Sequence, residues 1–366
     1  MRVALIGVGQ AGGKVAQAIA EFDYEMGFGA VQSAFAVNTA EADLQSLGID
    51  TMLIGQDRVK GHGVGGDNEL GAEVMQAEAT EVMEGLDGRI TSETEAVMVV
   101  AGLGGGTGSG GAPALVRELG RIYEIPVYVL GVLPGRDEGG IYQANAGRSL
   151  KTVTREADAA LLIDNDAWRE SGESVREGFD AINSQIAQRV GVLLASGEAV
   201  EGVGESVVDS SEIINTLREG GVASVGYATA EASEDAAENV NTVTSLTRNA
   251  LLTSMSLPDA VEAEAALVVV AGRPERISRK GVERARSWVE EETGSLQVRG
   301  GDFPLDSDRL AVLVLLCGVE RSRRVEEFME RAREASAGAD GEAPATEELF
   351  DEDLEELFDE DLENLF

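Results

Sequence analysis

The sequence predicts an α/β domain on a parallel sheet, joined by a long helix to a smaller α+β domain. Three observations carry that prediction. Apolar runs of strand length alternate with helix-like segments through residues 1–165. Glycine-rich stretches follow the strand-like runs at 7–13, 61–67 and 104–111. After a helical pattern with Phe179, Ile182, Ile186, Val190, Leu193 and Leu194 on one stripe, the order of elements changes.

In order, residues 1–6 and 33–37 read as strands, with a helix over 14–22 between them. A strand at 52–54 leads through Gly61-His62-Gly63-Val64-Gly65-Gly66 to a helix expected over 69–86. Strand 96–101 precedes the second glycine run, after which a helix is expected over 113–123, then strand 127–133, helix 139–154 and strand 161–163. The central helix spans 177–195. Beyond it come a helix at 211–217, strand 223–228, helix 239–254, strand 265–271, helix 280–292, strands 295–299 and 309–319, and a charged helix at 321–333. Residues 335–345 read as linker.

The chain has 366 residues and 43% hydrophobic content, enough to bury a large core, yet its net charge is −38. Lys14, Lys60, Lys151 and Lys280 are the only lysines among 29 basic residues. Such self-repulsion is tolerable where salt shortens the Debye length to about 3 Å at 1 M, so a high-salt cytoplasm is expected. The same charge argues against nucleic acid or an anionic membrane as partner. Cys317, the only cysteine, lies in an apolar run and is expected as a buried thiol. No signal peptide and no membrane-spanning run is apparent. At the end of the chain, Glu347-Glu348-Leu349-Phe350-Asp351-Glu352-Asp353-Leu354 recurs unchanged at 355–362, and Leu365-Phe366 closes it. The repeat reads either as docking motifs for a protein partner or as a solvated acidic tail.

Gly7-x-Gly9-x-x-Gly12 after a first strand fits a dinucleotide fingerprint, but Asn38 stands where an acid for the ribose would be. An NAD(P)-dependent oxidoreductase is therefore one alternative. The second glycine run has no Lys-Ser or Lys-Thr pair and is not a Walker A loop; its glycines, Thr107 and Ser109 suit a phosphate held by backbone N–H groups and hydroxyls. Asp209 followed by Glu212 is a helix-capping pattern in its own right. Phe179 reads either as core or as a ring for stacking. His62 is expected exposed or beside a phosphate, and no Cys/His cluster has metal-binding spacing.

Gly104-Gly105-Gly106-Thr107-Gly108-Ser109-Gly110 resembles the glycine motif of the tubulin and FtsZ superfamily, and the likeness runs in order through residues 1 to about 320. The resemblance implies GTP binding, hydrolysis to GDP and head-to-tail polymerisation. It implies phosphate contacts by Gln10 and the backbone at Ala11 and Gly12, a second nucleotide loop at Asn38-Thr39, a third near the γ-phosphate at Gly63 to Gly66 with Gly65 and Gly66 on the nucleotide, and nucleotide binding by the run Gly104, Gly105, Gly106, Thr107, Gly108 and Ser109. It further implies ribose contact by Glu138, and base recognition by Asn165, Asn183 and Phe179, whose amides and ring suit guanine. Asp209 and Glu212 would orient the attacking water from a neighbouring subunit. Mg²⁺ would arrive on the phosphates, with no resident metal site.

The chain departs from FtsZ at Val207, at Glu212, at Asn183 and at Gly140-Ile141-Tyr142. It is most similar to the CetZ group of haloarchaea, which implies a role in cell shape or motility rather than a division ring. The expected organisation is a GTP-binding domain over 1–176, a core helix over 177–200, an α+β domain with the catalytic loop over 201–321, and a charged helix, linker and acidic tail over 322–366. A nucleotide-binding scaffold that neither hydrolyses nor polymerises is the other alternative.

Overall fold

Strands and helices alternate as expected in the computed structural model, which describes residues 1–168, 175–198 and 208–340. Val207 and the acidic repeat lie outside the described residues. The first half runs β1 (Val3–Val8), α1 (Gly9–Met26), β2 (Val31–Asn38), α2 (Glu41–Leu44), β3 (Asp50–Leu53), α3 (Gln56–Val59), α4 (Asn68–Ala77), α5 (Ala79–Gly85), β4 (Ala96–Gly102), α6 (Gly106–Ile122), β5 (Val127–Leu133), α7 (Gly140–Glu156) and β6 (Ala159–Asp164). After the central helix α8 (Val175–Ser196) come α9 (Ser210–Leu217), β7 (Val222–Glu231), α10 (Asn239–Thr253), β8 (Ala263–Gly272), a 3₁₀ turn (Pro274–Arg276), α11 (Arg279–Thr293), β9 (Gln297–Pro304), β10 (Arg309–Val319) and α12 (Arg323–Asp340).

The ten strands of the described residues form a single sheet in the order β3-β2-β1-β4-β5-β6-β7-β10-β8-β9. The two expected halves are thus continuous, joined where β6 pairs in parallel with β7 through Ala160↔Val222 and Leu161↔Ala223. β10 alone reverses direction, antiparallel to β7 and β8. Alternate residues of the buried strands feed two cores: Ile6, Val8, Val97 and Val99 meet α4, α6 and α7 on one face, while Leu5, Met98 and Val100 meet α1 and α8 on the other. Cys317 is buried as expected, and burial pushes its thiol up to about 12.

The glycine runs are less loop-like than expected. α1 begins at Gly9 and α6 at Gly106, so most of both runs is helix. Glycine is a poor helix former by about 1 kcal/mol per residue, and close approach explains the choice. A Cβ on Gly12 would lie 2.2 Å from the Val100 carbonyl, and one on Gly110 would lie 1.9 Å from that of Asn68. These helices press on β4 and α4 at distances only glycine permits.

Two other expectations change. The single helix over 69–86 is broken at Glu78 (φ −108°, ψ 20°), whose side chain is drawn off to accept the Gly55 N–H at 2.9 Å. α12 continues to Asp340, into the expected linker, because its alanines favour helix and Ala332 and Ala335 pack against Gly147 and Gly140 of α7.

Candidate functional site

The strand order reverses around β1, with β2 on one side and β4 on the other, and a crevice opens at the carboxyl ends of these strands. A cavity of about 490 Å³ occupies it. α1 and α6 aim their N-termini at this cavity. Neither helix has an acidic residue in its first turn, and neither N-cap, Val8 or Gly105, supplies a capping side chain. Ser109 N–H bonds to the Gly105 carbonyl at 3.1 Å, as the first regular turn closes. The preceding N–H groups, with the positive ends of two helix dipoles, form a ready anion site. The two loops touch, since a Cβ on Gly9 (φ 74°) would stand 3.0 Å from Gly108 N.

Of the residues expected at the site, Gln10, Ala11, Asn38, Gly65, Gly66, Gly104, Gly105, Gly106, Thr107, Gly108, Glu138, Asn165, Phe179 and Asn183 all line this cavity. Gly12 and Ser109 do not. Gly12 is turned onto β4, and the Ser109 hydroxyl donates back to the Gly105 carbonyl. Phe179 is 48% exposed, so it is not a core position; Ile182 and Ile186 carry the buried stripe of α8. His62 also lines the cavity.

The polar lining is tightly organised. Glu138 Oε1 accepts from Gly135 N at 2.7 Å and from Asn165 Nδ2 at 3.1 Å, which ties the loop after β5 to the end of β6. Thr39 and Thr107 share a hydroxyl hydrogen bond of 2.7 Å. Asp164, which ends β6 just before Asn165, forms a buried bidentate pair with Arg324 of α12 at 2.5 and 2.7 Å.

Several of these residues were not anticipated. Asp43 on α2 accepts from Gln10 Nε2 at 2.9 Å and from Asn38 Nδ2 at 3.1 Å, so both amides are held by a carboxylate. Lys14 lines the cavity one helical turn beyond Gln10, a spacing visible in the sequence. Asn145 on α7 donates to the carbonyls of Gly66 at 2.7 Å and Gly104 at 3.1 Å. Its only sequence signal is a polar residue at a core-facing position, one residue before buried Ala146.

Asp209 and Glu212 are not at the cavity. Asp209 caps α9, its Oδ1 accepting from Glu212 N at 3.0 Å and from the Ser211 hydroxyl at 2.5 Å, so the capping reading holds. The Ser211 hydroxyl bond holds the Asp209 carboxyl below its ordinary range, while burial, helped by Asp209, raises that of Glu212. Ser210 donates to Glu95, the residue just before β4, at 2.8 Å. The α9 cap therefore stands at the amino ends of the strands whose carboxyl ends bear the cavity. β1 alone, six residues long, separates the two ends by about 20 Å.

Residues 2–173 match the tubulin/FtsZ family GTPase domain, and residues 172–334 match the tubulin-like CetZ C-terminal domain. The tubulin-like protein CetZ2 of Haloferax volcanii is 70% identical over 342 residues, 93% of this chain and 95% of that protein. CetZ1 of the same organism is 50% identical over 92% of each chain. Among solved structures, a GTPγS-bound protofilament of Haloferax volcanii CetZ2 superposes with a TM-score of 0.90 at 68% identity, covering 93% of this chain and all of that one. A GDP-bound monomer of Haloferax volcanii CetZ1 gives 0.85 at 52% identity, covering 92% and 100%. These matches leave no ground for the oxidoreductase alternative. With both its domains accounted for by family models, the chain belongs to the tubulin/FtsZ family, as a member of the CetZ group.

Proposed function

We propose that each subunit completes the active site of the next, with Asp209 and Glu212 of one chain set against the nucleotide cavity of its neighbour. The protein is a GTPase of the cytoskeletal tubulin/FtsZ family, binding GTP and GDP and forming filaments. The separation of its two half-sites carries the reading: the cavity lies at one end of the parallel strands and the α9 cap at the other. A cavity at one end and its complement at the other make a heterologous contact, which propagates as an open filament.

In this reading, the first-turn N–H groups of α1 and α6 and those of Gly65 and Gly66 hold the phosphates, with Lys14 as a nearby cation. Glu138 meets the ribose. Asn165 and Asn183 read the guanine edge while Phe179 stacks on the ring. Glu212, with its raised carboxyl, and Asp209 orient and polarise the attacking water. Among the described residues, no group of three or more His, Cys, Asp or Glu side chains could hold a metal ion. The donor set of the cavity, mostly backbone N–H, suits a Mg²⁺ carried by phosphate oxygens and water, where it would neutralise phosphate charge.

A cytoplasmic filament serving cell shape or motility, with the acidic Leu-Phe repeat recruiting a protein partner, completes the proposal. No helix among the described residues is long and apolar enough to cross a membrane. The test is GTP turnover per subunit against protein concentration in multimolar KCl, with pelleting measured alongside. Turnover should rise with concentration, and Glu212→Ala should bind GTP but hydrolyse it poorly. Turnover independent of concentration, or unchanged in Glu212→Ala, would refute completion of the site by a neighbour.

A further inference from the structure

We infer that Asn145 is a positioning residue that makes the cavity respond to the terminal phosphate, by fixing two phosphate-facing loops through one amide. The inference rests on the nucleotide placement proposed above. Asn145 is 4% exposed, and its Nδ2 spends both N–H bonds on the carbonyls of Gly66 and Gly104, 2.7 and 3.1 Å away. Those carbonyls belong to two separate loops that line the same cavity.

Peptide planarity converts these contacts into donor directions. In a trans peptide the carbonyl and the following N–H point opposite ways. Holding the Gly104 carbonyl on Asn145 therefore turns the Gly105 N–H away from α7. Gly105 lines the cavity, and a Cβ on it would meet nothing within 4 Å. In the other loop, Gly65 (φ 63°) and Gly66 (φ 88°) are both left-handed, inside a turn closed by Asp67 N–H to the Val64 carbonyl at 3.1 Å. Asn145 pins the far side of that turn, and successive N–H groups in such a conformation form an anion-binding concavity.

Without the amide, both carbonyls are left without that donor: the Gly104–Gly105 peptide can flip an oxygen toward the phosphates in place of an N–H, and the turn that carries the Gly65 and Gly66 N–H groups loses its outer anchor. In the placement proposed above, the terminal phosphate lies at the third glycine loop, so a triphosphate depends on both loops that Asn145 fixes, whereas a diphosphate keeps the N-terminus of α1 and the α6 N–H groups beyond Gly105.

Asn145→Leu keeps a side chain of similar size and removes both donors without adding a charge. Its affinities for GTPγS and GDP should be measured by displacement of a fluorescent nucleotide in multimolar KCl, together with turnover and melting temperature. GTPγS binding should weaken about tenfold or more, as expected for lost bonds to buried carbonyls, with GDP binding changed less than about threefold and turnover reduced. Asn145→Ser retains one donor, so its GTPγS:GDP affinity ratio should lie between the other two. Equal loss for the two nucleotides, or a lower melting temperature with an unchanged ratio in both variants, would reduce Asn145 to a packing role and overturn the inference. If the wild type itself bound no guanine nucleotide, the proposed nucleotide placement would fail instead.

Discussion

Arg324→Met removes one half of a buried ion pair on which the base end of the cavity depends. Arg324 and Asp164 are both 2% exposed and meet through two bonds of 2.5 and 2.7 Å. Burial alone would lower the guanidinium, but Asp164 and Asp166 outweigh it, and the net shift is upward. With arginine gone, the Asp164 carboxylate keeps the Asp166 N–H at 3.2 Å. One such donor does not replace a bidentate cation. Removing one partner of a buried pair costs about 3–5 kcal/mol. At about 2 °C per kcal/mol for a chain of this size, the melting temperature should fall by about 6–10 °C. Because the pair is buried, multimolar KCl should not mask the loss. Asn165 follows Asp164 directly, so GDP affinity should fall as well. Thermal unfolding with and without GDP measures both effects. Arg324→Met/Asp164→Leu should recover much of the stability, since no charge is then left buried and unpaired. A drop below about 2 °C, or a double variant no better than the single, would refute the reasoning.

Two further expectations concern pH and salt. Burial beside Asp209 raises the Glu212 carboxyl, so its ionised form is lost on acidification earlier than for a free glutamate. The acid limb of GTP turnover should therefore have its midpoint above about 4.3, the ordinary value, and a midpoint at or below it would contradict Glu212 as the water-orienting group. With a net charge of −38, the melting temperature should climb between dilute buffer and multimolar KCl; a flat profile would remove the high-salt reading.

Much of this molecule was legible because its signals are local. The strand-like runs gave the alternation of the first half, and the family resemblance placed fourteen residues that now line a common cavity. What was not legible depends on distant partners. Nothing near Glu78 in sequence announces that Gly55 will claim its side chain and break a helix. Asp43, Asn145 and Arg324 act across separations of 33, 79 and 160 residues, through bonds that no periodicity encodes. The continuity of the sheet was hidden for the same reason, since two residue pairs join the halves. Gly12 and Ser109 were assigned to the ligand because their motif is a ligand motif, and the structure shows that part of that motif also serves helix seating.

That double use limits what substitution in the glycine run can reveal. An added methyl at Gly106, Gly108 or Gly110 would strike neighbouring atoms at 2.5, 2.4 and 1.9 Å, so a lost activity there would report a displaced helix. At Gly104 it would come within 3.2 Å of Tyr142, and at Gly111 within 3.2 Å of Met75. Gly105 is the exception among these glycines, with open space around it and a φ of −72° that alanine adopts freely. An alanine scan of the run would mostly report helix displacement, with Gly105 the position whose loss speaks about the ligand.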